Sequence, residues 1–247
     1  IDGVSIRGGT RELRRHIGFV PQELALYGEL TARENLVFFG KLYGLDSATL
    51  KRRVDEVLAS IGLSERASTR AREFSGGMKR RLNLGMALVH EPRLLLLDEP
   101  TTGVDPHSRL NIFEEVRRLH AAGITIVYTS HYMKEVEELC QRVAILNNGR
   151  LIACDEVSRL LGQADGVLRF RVPDVTPELR ARLSGLPEAR LLERDGPLEL
   201  VCNDVKATLL RLLAVLKDLK VELLSLETEE PDLERVFMEM TGAELRD

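Results

Sequence analysis

The chain has 247 residues, of which 44% are hydrophobic and 30% charged, with a formal net charge of -4. That length holds one large α/β core, or a core with a small second domain. The composition is that of a globular chain, not a disordered one, and there is no basic excess to suggest nucleic acid as a partner.

Taken in order, Ile1–Ile6 reads as a strand and turn, so the chain opens inside an element. His16–Val20 is a short apolar strand stopped by Pro21. Thr31 and Glu34 form a capping box for a helix that runs to about Tyr43, ended by Gly44. Leu50, Val54, Val57, Leu58 and Ile61 repeat at helical spacing, with Gly62 as the stop. Leu82–Val89 is helical. Leu94–Leu97 is continuously apolar, as a strand buried on both faces of a parallel sheet would be. Like every other unbroken apolar run in the sequence, it falls far short of a membrane span. Asp105-Pro106 is a strong helix start, cap then proline. That helix runs to about Ala121. Ile124–Tyr128 is the next buried strand, followed by a helix over about 132–140. Strands at Arg142–Leu146 and Arg150–Ala153 flank an Asn148-Gly149 tight turn.

The alternation to about residue 146 predicts an α/β fold with a mostly parallel sheet and helices on both faces. Chemistry should then sit in loops at the carboxyl ends of the strands. The tail changes grammar: strand 167–172, helix 176–183, a hairpin of 189–194 and 198–202, helix 205–219 and strand 221–226. This β-α-β-β-α-β order predicts a small α+β ferredoxin-like domain. Pro231 opens a last short helix. Cys140, Cys154 and Cys202 are odd in number and scattered. They make neither a disulfide framework nor a metal cluster, and they suit a reducing cytosol.

Polar residues gather where the strands end. Asp98 and Glu99 follow Leu94–Leu97 directly. Adjacent carboxylates after a buried strand are costly unless they face a cation, a donor or water. One could hold magnesium and its neighbour polarise an attacking water, since successive side chains point opposite ways. As a pair alone they also read as acidic caps before a loop. Ser75-Gly76-Gly77 opens the helix that contains Leu82–Val89. A hydroxyl, two unobstructed amides and a helix amino end make a phosphate-binding surface, or equally a plain N-cap and turn. His131 follows the second buried strand and could donate to a phosphate or serve as a structural hydrogen-bonding group. Gln22, after the first strand, could reach metal or water.

In order, Gln22, Ser75-Gly76-Gly77, Asp98-Glu99, Asp105 and His131 resemble the motifs of ABC transporter ATP-binding subunits, over roughly residues 1–155. Gln22 resembles the Q-loop glutamine, which in the family touches the magnesium and water region and couples to the membrane partner. Phe74-Ser75-Gly76-Gly77-Met78 resembles the family signature, departing at Phe74 and Met78. Leu94–Glu99 resembles the Walker B strand, with Asp98 for magnesium and Glu99 as the catalytic carboxylate. Gly103-Val104-Asp105 resembles the D-loop, and His131 the switch histidine. The Asn147-Asn148-Gly149-Arg150 turn and the Glu230–Phe237 tail resemble exporter ATPases of the ABC-2 kind.

The resemblance implies a P-loop NTPase-like ABC ATPase domain over 1–160, with a helical subdomain at about 31–90. A C-terminal α+β domain would span 166–227, and a helix and tail 230–247. It implies ATP and Mg2+ as cofactors and a head-to-tail homodimer or heterodimer of ATPase subunits. The permease subunit would hold the protein at the cytoplasmic face of the membrane, where hydrolysis would power export. The Walker A run Gly-x-x-x-x-Gly-Lys-Ser/Thr does not occur in the sequence. The family places it upstream of the residues that match here. The expectation is therefore an N-terminally truncated chain that binds ATP poorly. Alternatives are a naturally short half-site donor without its own hydrolysis, and a structural or interaction protein.

Overall fold

The computed structural model describes residues 1, 5, 11–192 and 196–241. Most of the strand and turn read at Ile1–Ile6 lies outside the described residues, as does the tip of the hairpin at 193–195. Two compact units emerge, Ile1–Tyr132 and Met133–Asp247.

The first unit is built on three parallel strands in spatial order β1 (Ile17–Val20), β2 (Leu94–Asp98), β3 (Thr125–Thr129). Phe19 lies opposite Leu96, and Leu96 opposite Val127. A short helix α1 (Arg11–Arg15) precedes β1. Between β1 and β2 lie α2 (Ala32–Leu42), α3 (Ser47–Ser60) and α4 (Gly76–Leu88), and α5 (Pro106–Ala121) links β2 to β3. Val20 and Leu97 border Leu84 of α4 and Ile112 of α5, so these helices cover that face of the sheet. Of the helices expected on both faces, those of the described residues between β1 and β3 cover this one. On the other face Phe19 and Val127 remain 52% and 48% exposed, and Leu94 and Leu96 are half-buried.

The helix starts follow local chemistry. Thr31 and Glu34 close the capping box on α2, Asp46 caps α3, and Asp105 with Pro106 at the first helical position starts α5. Each satisfies amide groups that a helix leaves unpaired at its amino end. Leu36, Val54, Leu58 and Leu82 are buried where α2, α3 and α4 meet. Gly85 permits the close approach: a Cβ there would lie 2.8 Å from Ile61 Cδ1 and 3.0 Å from Val57 Cγ1. Asn35, fully buried in α2, ties down the preceding loop. Its Oδ1 accepts from Tyr27 N at 2.8 Å, and its Nδ2 donates to the Tyr27 and Thr31 carbonyls at 3.0 and 2.9 Å.

In the second unit, α6 (Met133–Leu139) leads into a hairpin of β4 (Arg142–Asn147) and β5 (Arg150–Glu156), then α7 (Val157–Leu161). The hairpin turns at Asn148 and Gly149, both at positive φ, as an Asn-Gly tight turn requires. A four-stranded antiparallel sheet follows, β6 (Gly166–Arg171), β7 (Ala189–Leu192), β8 (Leu198–Cys202) and β9 (Ser225–Glu229), in spatial order β7-β8-β6-β9. Helices α8 (Pro177–Ser184) and α9 (Val205–Asp218) intervene, and α10 (Leu233–Thr241) ends the described chain. Leu168, Phe170, Leu179, Leu183, Leu200 and Leu212 form the core of this sheet and its helices.

The strand expected at 221–226 is corrected to Ser225–Glu229. Val221 and Leu223 look like strand residues but are partly buried connectors against the core. The ladder instead runs through polar residues, where Glu229 pairs with Arg169 across strands at 2.7 Å.

Candidate functional site

Residues at the carboxyl ends of β1, β2 and β3 converge on one carboxylate. Asp98 is still part of β2, opposite Thr129. The next residue leaves the strand abruptly: Glu99 has φ 45°, in the left-handed region that costs a non-glycine residue about 1–3 kcal/mol and recurs at functional sites. The turn is held from both sides. Glu99 N–H donates to the Thr129 carbonyl at 3.1 Å, and Thr102 N–H donates to the Glu99 carbonyl at 3.2 Å. The reversal sends the two carboxylates to different partners. Asp98 Oδ1 accepts from the Thr129 hydroxyl at 2.6 Å.

The Glu99 carboxylate accepts from Gln22 Nε2 at 2.8 Å and from the Thr102 hydroxyl at 3.0 Å, both on Oε2. His131 Nδ1 lies 3.1 Å from the other oxygen. Three donors leave part of a carboxylate's acceptor capacity free, and the Glu99 side chain keeps 25% exposure, so a water can reach it. His131 packs beside the Tyr132 ring, centroids 4.1 Å apart, and the Arg109 guanidinium lies 5.5 Å from the centre of the Tyr132 ring. Gln22, Asp98, Glu99 and His131 thus form one cluster. Thr102 and Thr129, its other members, were not singled out from the sequence. A threonine in a strand or a turn gives no local sign that its hydroxyl will meet a carboxylate.

Ser75, Gly76, Gly77 and Asp105 form a second group. Ser75 Oγ caps α4, accepting from Met78 N at 3.3 Å. Asp105 Oδ1 caps α5, accepting from Ser108 N at 3.0 Å. Hydrogen bonds from the Ser108 hydroxyl and amide hold the Asp105 carboxyl below its usual range. The two helix starts touch, because a Cβ on Gly77 would run into the Ser108 hydroxyl, whereas a Cβ on Gly76 meets nothing within 4 Å. The turn is therefore an N-cap, and it carries one glycine with open space beside it.

Arg80, three residues beyond Gly77, links the groups. It is 7% exposed and donates to the Gln22 carbonyl at 2.6 Å and the Thr102 carbonyl at 3.1 Å.

The ABC transporter family profile matches residues 1–102. Linearmycin resistance ATP-binding protein LnrL of Bacillus subtilis (strain 168) is 42% identical over 254 residues, covering 100% of this chain and 81% of that protein. The chain belongs to the ABC transporter ATP-binding family. Nod factor export ATP-binding protein I of Rhizobium meliloti (strain 1021) is 38% identical, covering 99% of this chain and 71% of its own length. A solved ATP binding subunit of an ABC transporter superposes with a TM-score of 0.58 at 32% identity, over 66% of this chain and 68% of that one. As in other ABC ATPases, the family activity is ATP hydrolysis coupled to transport.

The oxygen donors of Asp98 and Gln22 fit magnesium, which takes few protein ligands and completes its shell with phosphate and water. Among the described residues there is no cluster of three or more His, Cys, Asp or Glu side chains that would suit a transition metal. Among the described residues no helix is long and apolar enough to cross a membrane.

Proposed function

We propose that this chain hydrolyses ATP for an ABC exporter, with Glu99 as the group that polarises the attacking water. The observation that supports this best is the Glu99 carboxylate, set on a left-handed backbone and gripped by side chains from the ends of all three parallel strands. Gln22 donates to Glu99 through its amide nitrogen, which leaves its amide oxygen for the cation. Asp98, oriented by Thr129, holds the same cation. Magnesium, when bound, neutralises charge on the phosphates. His131 steadies the phosphoryl oxygens. With its Nδ1–H on Glu99, a neutral ring has only a lone pair at Nε2. To donate to phosphate it carries a second proton or releases Glu99.

Ser75, Gly76 and Gly77 contact the ATP held by a second ATPase subunit, arranged head to tail, and Asp105 lies at that subunit boundary. The open space at Gly76 supports this reading. The membrane subunit docks on the side of α2, where Leu24, Tyr27 and Phe38 are exposed and the Tyr27 and Phe38 rings meet edge to face at 4.9 Å. Relatives named for linearmycin resistance and Nod factor export support export as the direction. We further infer an ATPase domain over 1–160, a ferredoxin-like domain over 166–227 with a part in dimer contact or regulation, and a terminal helix and tail over 230–247. The β7-β8-β6-β9 order supports the second of these.

Glu99→Gln in the full-length subunit is expected to lower ATP turnover about 100-fold or more while ATP binding persists. Unchanged turnover would end the reading. A polypeptide of residues 1–247 alone lacks a lysine-bearing phosphate loop. Each charged hydrogen bond is worth about 1.5–3 kcal/mol. Such a polypeptide is expected to bind ATP about a thousand-fold more weakly than a subunit with that loop. Titration with a fluorescent ATP analogue measures this, and micromolar affinity would contradict it.

A further inference from the structure

Arg80 is a buried cation whose hydrogen-bond partners among the described residues are all neutral. Its guanidinium donates to three main-chain carbonyls, Gln22 at 2.6 Å, Pro21 at 3.4 Å and Thr102 at 3.1 Å. Beside it lies an apolar void of about 10 Å³ shared with Val20, Leu84, Leu97, Pro100 and Ile112. Taking a charge out of water without a carboxylate to meet it is costly, and burial pulls the Arg80 pKa down from its ordinary value. A helix face that served packing alone would take leucine or methionine at this position. What arginine supplies is a rigid planar fork that can reach two chain segments at once.

The two segments are the loops that leave β1 and β2. Arg80 grips the main chain of Gln22 and Thr102, and the side chains of those same two residues hold Glu99 Oε2, at 2.8 and 3.0 Å. The helix that carries Arg80 opens with Ser75-Gly76-Gly77. One side chain therefore joins the turn of one residue group to the carboxylate of the other.

We propose that Arg80 is a positioning residue for ATP hydrolysis: it sets the spacing of Gln22 and Thr102 around Glu99, and so ties the Ser75-Gly76-Gly77 turn to the carboxylate. This rests on the reading of Glu99 given above. Arg80 does not touch the reacting atoms. It acts through the two loops, and misplacement of a reacting group by about 1 Å can cost 100-fold in rate.

The test uses the full-length subunit and five variants: Arg80→Lys, Arg80→Gln, Thr102→Val, the double variant of Arg80→Lys with Thr102→Val, and Glu99→Gln. Lysine keeps the charge but not the fork. Arg80→Lys is expected to lower kcat about 10- to 100-fold with KM for ATP changed less than about threefold. Thr102→Val is expected to lower kcat as well. The double variant should be no slower than about the worse single variant, because both act through one linkage. A merely structural arginine would give effects that multiply, and that result overturns the proposal. So does an unchanged kcat in Arg80→Lys. If neither Arg80→Lys nor Arg80→Gln yields a folded protein, the residue serves stability and the proposal falls. Full turnover in Glu99→Gln would remove the reading of Glu99 and the proposal with it. An inactive Glu99→Gln beside a normal Arg80→Lys would remove the Arg80 proposal alone.

Discussion

Adjacent glycines at the start of α4 are small for different reasons. Gly77 is small because α5 is close, and a Cβ there would meet the Ser108 hydroxyl, with Ser108 Cβ at 3.0 Å. Gly76 has open space around it and no positive φ. Gly77→Ala is expected to cost about 1–3 kcal/mol of stability by overpacking. Gly76→Ala is expected to leave stability the same or raise it by about 0.4–1 kcal/mol, yet to lower ATP turnover, because its methyl group faces the proposed nucleotide. Urea unfolding and steady-state hydrolysis of the two variants separate these effects. Both glycines were visible in the sequence as one motif, but their division of labour depends on Ser108, which no local pattern connects to them. Glu99 shows the same limit. Its place after an apolar strand marks it, whereas its left-handed backbone depends on Thr129 and Thr102.

Where elements meet, a buried histidine makes stability depend on pH. His90 follows α4, its Nε2–H donates to the Ile17 carbonyl at 3.0 Å at the start of β1, and its ring stacks on Tyr43 at 3.6 Å just past α2. The residue is 8% exposed, and Nδ1 has no partner among the described residues. Burial lowers its pKa from 6.5 to about 4, with the nearby Arg53 charge acting in the same direction. The unfolded chain then takes up a proton near pH 6.5 and the folded chain only near pH 4. Stability is full above about pH 6.5 and falls as pH drops toward 4, by about 3 kcal/mol in all. His90→Phe keeps an aromatic ring against Tyr43 and is expected to flatten this slope, although it leaves the Ile17 carbonyl unpaired. Urea midpoints at pH 7 and pH 4.5 for both proteins check it, and equal slopes would refute it. Helix starts such as Thr31-Glu34 and Asp105-Pro106 were legible because caps are local chemistry. The roles of Asn35 and His90 were not, since each is defined by a loop or strand brought to it by the fold. Strand β9 misled for a related reason, its apolar lead-in being more strand-like than its polar ladder.

Across the molecule, the second unit contains more than the tail sheet. Leu233 and Val236 of α10 are buried together with Val136 of α6, Ile145 of β4 and Val157 and Leu160 of α7. The start of α10 is fixed by a side chain far away in sequence: Leu233 N–H donates to Glu137 Oε1 at 2.6 Å, across 96 positions. The last helix therefore completes a core begun by residues that precede the whole four-stranded sheet. Pro231 marked a last short helix in the sequence, but a pattern within one helix does not say which distant surface it meets. Leu233 is 1% exposed, and its truncation to alanine removes buried methyl groups and leaves a cavity. Leu233→Ala is expected to cost about 2–5 kcal/mol. If α10 completes that core, amide exchange should rise in α6 and α7 as well as in α10, since a shared core loses protection as a unit. Hydrogen exchange read by mass spectrometry gives the answer. Faster exchange confined to α10 would show that the helix only rests on a core already complete without it.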